Sequence, residues 1–125
     1  LLAMYSDKVV VMGGVVPGQT TDAVAAILAE FVHADLLIRT TSVDGVYTAD
    51  PKIDPGAKKL DTMSSQDLVE MVTQIEMVAG ANNIFDPLGA QIVKRSKMPL
   101  RVVSGKDPHN LVDAIAGKPI GTLIY

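Results

Sequence analysis

The stretch VVVMGGVVPGQTT, Val9 to Thr21, limits what this chain can fold into more than any other. Val9, Val10, Val11 and Met12 form an uninterrupted apolar run, expected to be a buried strand. Gly13-Gly14 then frees the backbone and Pro17-Gly18 turns it. Thr20-Thr21-Asp22 opens a helix that continues AVAAILAE, with Thr20 or Thr21 as its cap. A strand, a glycine-rich turn and a helix start gather unpaired N–H groups and a positive dipole end at one point. That is how a chain receives a phosphate.

The alternation continues downstream. The helix is expected to reach about Val32, with Val24, Ile27, Leu28 and Phe31 as its apolar stripe. Ala25, Ala26 and Ala29 are small enough to let it lie close to a sheet. Leu36 to Thr40 (LLIRT) suits a central parallel strand, completing a right-handed β-α-β unit. Thr41 to Asp61 is a long irregular segment, with Asp44-Gly45 as a turn between Val43 and Val46 and breakers at Asp50-Pro51 and Asp54-Pro55-Gly56. A loop of that length in a compact domain is usually functional or disordered.

Ser64-Ser65-Gln66-Asp67 matches a capping box, followed by Leu68, Met71, Val72, Ile75 and Val78 at helical spacing. Gly80-Ala81-Asn82-Asn83 breaks that helix. Asp86-Pro87 and Asp107-Pro108 each read as cap plus first-turn proline, giving helices to about Ser96 and through Ala116. Leu100 to Ser104 (LRVVS) and Gly121 to Tyr125 (GTLIY) read as strands. The order β-α-β-loop-α-α-β-α-β is an α/β fold, and ligands of such sheets sit at the carboxyl ends of the strands. The turn after Met12 and the segments after Thr40 and Ser104 are therefore expected on one rim.

Composition narrows the chemistry. The 125 residues make one domain at most, and 48% hydrophobic content with only 4% aromatic suits layered α/β packing. A net charge of -3 argues against a nucleic-acid partner, since there is no basic excess to release counterions. The absence of cysteine removes disulfides, thiolate metal sites and thiol nucleophiles, and agrees with a cytoplasmic location. No apolar run approaches the roughly 18 residues of a membrane span. Leu1 to Ser6 has helix-forming composition without an initiator methionine, and is expected to continue a helix of a longer protein.

Each chemical candidate stands beside a plainer reading. The first turn matches neither a Walker A sequence nor GxGxxG, so it is a phosphate cradle or merely a tight strand-to-helix connection. Asp22 caps the helix, repels a phosphate, or orders a metal or lysine beside transferring phosphoryl oxygens; as a first-turn acid it also simply meets the dipole. Thr40, Thr41, Ser42, the Asp-Gly turn and Tyr47 offer ribose and phosphate hydrogen bonds beside a flat ring, or form an ordinary hairpin. Lys52, Lys58 and Lys59 read as solvated loop charges. His33 and His109 lack a partner at metal-ligand spacing, and the six methionines read as core filler.

Taken together, VVVMGGVVPGQTTDAVAAILAE, TTSVDGVYTADP, AKKLDTMSSQDLVE, IFDPLGAQIVKRS and GTLIY resemble the amino-acid kinase superfamily, most closely its archaeal-type uridylate (UMP) kinases. The likeness runs over nearly the whole chain, and its paired signatures PG-x-TTDAVAA and VDGVYTADP are specific. It implies a three-layer α/β/α fold with a mainly parallel sheet, of which residues 1–125 are the C-terminal nucleotide-binding half. It implies phosphoryl transfer from ATP, with Mg2+ carried on the ATP, to UMP. By the same resemblance Val15, Val16, Pro17, Gly18, Gln19, Thr20 and Thr21 line the UMP site. Thr41, Ser42, Tyr47 and Asp50 contact ATP, Asp22 lies where the two nucleotides meet, and no residue of the chain is assigned to a metal. A homo-hexamer is implied for the intact family.

Two departures stand out: Val15 replaces the usual threonine after Gly-Gly, and Ser42 a frequent asparagine. The resemblance also implies an N-terminal half with a lysine in a glycine-rich loop, and no lysine of this chain sits in such a turn. The 125 residues alone are thus expected to be nearly inactive. A non-catalytic nucleotide-binding or assembly module, or a kinase of the superfamily with acetylglutamate, carbamate, aspartate or isopentenyl phosphate as acceptor, remain the other readings.

Overall fold

Thr20 caps the first helix: its backbone is extended and its hydroxyl accepts from the Ala23 amide at 3.2 Å. In the computed structural model, which describes residues 7–76 and 84–125, this helix is α1 (Thr21–Phe31). It is followed by β1 (Leu37–Thr41), β2 (Val46–Tyr47), β3 (Lys59–Leu60), β4 (Thr62–Met63) and α2 (Ser65–Glu76). Then come α3 (Pro87–Ser96), β5 (Leu100–Ser104), α4 (His109–Ile115) and β6 (Thr122–Ile124). The expected helical start over Leu1 to Ser6, Val78, and the break at Gly80 to Asn83 lie outside the described residues.

The later helices start on local devices. The Ser64 hydroxyl accepts from the Asp67 amide at 3.0 Å while the Asp67 carboxylate accepts from the Ser64 amide at 3.2 Å, a reciprocal capping box for α2. The Asp86 carboxylate accepts from the Gly89 amide at 2.9 Å with Pro87 in the first turn of α3. The second expected cap differs: Pro108, not Asp107, stands at the N-cap of α4 with no side-chain cap bond, and the Asp107 carboxylate accepts from the His109 amide at 2.9 Å just ahead of it.

The main sheet has the order β1-β5-β6-β4, with β1 parallel to β5, β4 parallel to β6, and β5 antiparallel to β6. It is mainly parallel, as the fold class requires. Residues Leu100 to Val103 are all buried, so both faces of β5 are covered. Leu100, Val102 and Ile124 share one core with Leu68 and Val72 of α2, Ile92 and Val93 of α3, and Ala26 and Ala29 of α1. Strand alternation puts Arg101 and Val103 on the other face, where α4 packs against β5. Helices thus cover the sheet on both sides, giving three layers.

Three further expectations are corrected. Val9 to Met12 is not a buried strand: Val9 and Val11 are 93% and 91% exposed, and no backbone hydrogen bond joins residues 9–15 to another described residue. A strand exists only in a ladder, and β1 is the edge of the sheet, so the β-α-β unit lacks its first strand. Second, the segment after Thr41 is not wholly irregular. Asp44-Gly45 leads into β2, which pairs antiparallel with β3 in the register Val46 with Leu60 and Tyr47 with Lys59; the hairpin closes over residues 48–58, not over Asp44-Gly45.

Third, α1 buries its small face. Ala23, Val24, Ala26 and Ala29 are covered, whereas Ile27 and Phe31 are 38% and 45% exposed. The cause is α3, against which α1 packs closely. A Cβ on Gly89 of α3 would fall 2.8 Å from the Phe85 ring and 3.4 Å from the Asp22 carbonyl oxygen. Only small residues on both helices permit that approach.

Candidate active site

The parallel register of β1 and β5 pairs Arg39 with Val102 and Thr41 with Ser104, so both strands end side by side. The Gly105 amide donates to the Thr41 carbonyl at 2.9 Å, joining the segments that follow the two strands. At this carboxyl end opens a cavity of about 620 Å³, within the size range of small-molecule sites. Val102, Met71, Ile75 and Ile84 give it an apolar floor and wall, and Arg39, Thr41, Ser42, Tyr47, Asp50 and Lys52 a polar rim.

The strand β6 and the turn before it support the rim from behind. Thr122 is fully buried; its hydroxyl accepts from the Val46 amide at 2.8 Å and donates to the Leu60 carbonyl. It therefore holds β2 and β3 together from outside their own hairpin. A Cβ on Gly45 would fall 2.7 Å from that hydroxyl, and one on Gly121 (φ +65°) would fall 2.0 Å from the Val102 carbonyl oxygen. Gly45 leaves room for the Thr122 hydroxyl, and Gly121 lets backbone approach backbone.

Two further contacts shape the rim. The Tyr47 hydroxyl donates to the Asp44 carboxylate at 2.7 Å, and Lys59 Nζ stands 3.8 Å from the same carboxylate. The hydroxyl holds the Asp44 carboxyl below its ordinary value, with Lys59 adding to the effect and burial opposing it. Asp44 in turn pushes the Tyr47 phenol up. The Asp50 carboxylate accepts from the Lys52 amide at 2.9 Å, and its carbonyl accepts from Ile53 and Asp54 at 3.0 and 2.8 Å, fixing the turn.

A smaller cavity of about 200 Å³ runs along β1 beside the start of α1, lined by Thr21, Asp22, Ala25, Phe85 and residues 37–40. Here Arg39 Nε donates to both oxygens of Asp22 at 3.0 Å. The guanidinium carbon lies 5.8 Å from the centre of the buried Phe85 ring.

Thr41, Ser42, Tyr47 and Asp50 thus line one cavity, and Thr21 and Asp22 the other. Val15, Val16, Pro17, Gly18 and Gln19 stand outside both; the first four are exposed and Gln19 is half-buried, and their turn is closed by the Gln19 amide donating to the Val16 carbonyl at 3.3 Å. Of the roles open to Asp22, capping falls instead to Thr20. Lys52 and Lys58 are exposed, while Lys59 is more than a solvated charge, being paired with Asp44. His33 is exposed, and so is His109, with Nδ1 3.2 Å from Asp107. Arg39 was not among the residues singled out from the sequence. A charge inside the apolar run LLIRT was its one signal, since a cation in a strand core requires a partner.

Among the described residues no group of three or more His, Asp or Glu stands where it would hold a metal ion, and no helix is long and apolar enough to cross a membrane. Residues 1–104 match the family model described as "Amino acid kinase family". The uridylate kinase of Methanocella arvoryzae is 78% identical over 123 residues, 98% of this chain and 55% of that protein. The crystal structure of uridylate kinase from Archaeoglobus fulgidus superposes with a TM-score of 0.80 at 49% identity, covering 91% of this chain and 50% of that one. The UMP kinase structure from Bacillus anthracis superposes with a TM-score of 0.73 at 25% identity, covering 86% and 41%. The chain spans about half the length of the curated relatives it matches.

Proposed function

The chain belongs to the amino acid kinase family, and on that premise we propose that it is the ATP-binding half of a uridylate kinase. The observation that carries this reading is the larger cavity, which places Thr41, Ser42, Tyr47 and Asp50 around one space at the carboxyl end of β1. The high identity to the Methanocella arvoryzae uridylate kinase supports the acceptor.

In the reaction, the bond from the γ-phosphorus of ATP to its bridging oxygen breaks and a bond to a phosphate oxygen of UMP forms, giving ADP and UDP. The hydroxyls of Thr41 and Ser42 hold ribose and phosphate, Tyr47 offers its ring, and Asp50 closes the rim. UMP approaches over residues Val15 to Thr21, so that the two nucleotides meet near Asp22. Magnesium neutralises charge along the triphosphate and enters with the nucleotide rather than as a resident of the chain. The whole protein, in this reading, is a cytoplasmic homo-oligomer of pyrimidine nucleotide biosynthesis. The 125 residues alone transfer phosphoryl groups weakly or not at all, because no lysine in a glycine-rich turn stabilises the transferring group.

Calorimetric titration of the chain with ATP-magnesium, and separately with UMP, tests the reading. ATP binds weakly and UMP more weakly still; Thr41→Ala combined with Asp50→Ala reduces ATP affinity. Unchanged ATP affinity in that double variant would show that the cavity is not the nucleotide seat.

A further inference from the structure

Arg39 is the one described residue that lines both cavities. Its backbone is fixed in the middle of β1, in register with Val102. Its Nε is held by both carboxylate oxygens of Asp22, and its guanidinium lies against Phe85. The side chain nevertheless keeps 22% of its exposure, so the group is oriented without being sealed. A guanidinium carries five N–H donors. Asp22 engages Nε alone, and neither terminal amino group hydrogen-bonds to another described residue. An arginine that only braced α1 to β1 would be expected to spend its two-pronged edge on the carboxylate.

We propose that Arg39 is a phosphate-binding residue whose terminal amino groups take the outer phosphates of a nucleoside triphosphate in the larger cavity, with Asp22 as the positioning residue that aims it. The proposal rests on the nucleotide reading of that cavity. It also accounts for an acidic side chain beside a phosphate site: the Asp22 charge is neutralised at 3.0 Å before the phosphates arrive. Arginine suits the task because its planar fork matches phosphate oxygens and stays charged at every working pH.

Calorimetry on the full chain with ATP-magnesium, ADP and adenosine, at low and high salt, separates the two claims. Arg39→Gln weakens ATP by about tenfold or more, the worth of one charge-assisted hydrogen bond. It leaves adenosine affinity unchanged and flattens the salt dependence of ATP binding. Arg39→Lys recovers part of the loss, and Asp22→Asn loses less than Arg39→Gln. A brace without a phosphate role would shift adenosine and ATP alike. Equal ATP affinity in wild type and Arg39→Gln, with adenosine still bound, overturns the Arg39 assignment and leaves the cavity reading standing. Failure of the wild type to bind either adenosine or ATP overturns both. Circular dichroism reports folding; if Arg39→Gln unfolds, the wild-type preference for ATP over adenosine decides, and no preference overturns the proposal.

Discussion

Thr122 shows how much one side chain carries here. It is fully buried, and its hydroxyl accepts from the Val46 amide and donates to the Leu60 carbonyl, the pair that faces itself across β2 and β3. Thr122→Val keeps the shape and strands both groups, so we expect a loss of about 2 kcal/mol or more in denaturant unfolding; Thr122→Ser, which keeps the hydroxyl, loses less. Tyr47 and Asp44 form a second, pH-dependent tie. Asp44 is lowered from 3.8 on folding, so its contribution stands above that value and fades as pH falls through the lower folded one. Tyr47 is raised from 10.0, so its contribution stands below 10.0 and fades as pH rises past the higher folded value. Asp44→Ala should bring Tyr47 back toward 10.0, seen as one of the chain's three tyrosines ionising earlier in an absorbance titration. An unchanged titration would mean that the pair does not persist in solution.

At the scale of the elements, what can be read from the sequence tracks how local its cause is. The capping box of α2, the Asp86-Pro87 start of α3 and the strand LRVVS of β5 depend on residues within a few positions, and all three could be read directly. Asp86→Ala should accordingly cost about 1 kcal/mol of stability, measured by thermal or denaturant unfolding, as for other lost caps. The strands β2, β3 and β4 have two residues each, too short to show a period. The first two depend on Thr122, 76 residues from Val46 and 62 from Leu60. For α1, the period identified the large apolar residues, but α3 selected the alanine face. The cavity rim was legible through its hydroxyls and the Asp-Gly turn, whereas Arg39 acquires meaning only once Asp22 and Phe85 are beside it.

For the whole molecule, the described residues leave apolar surface without a cover. Val9, Val11, Val15 and Val16 are each more than half exposed, and β1 forms the edge of the sheet. Hydrogen exchange should find the amides of Val9 to Gly14 exchanging as in an unfolded peptide while those of β5 are protected; protection at Val9 to Met12 would restore the strand. The central claim, that the space between β1, the segment after Thr41 and α2 seats a nucleotide, is tested most directly by titrating isotope-labelled chain with ATP-magnesium and following backbone resonances. Saturable shifts are expected at Thr41, Ser42, Tyr47, Asp50 and Met71, with α4 unmoved. Shifts that gather on α4 or along Val9 to Gln19 instead, or none at saturating nucleotide, would contradict it.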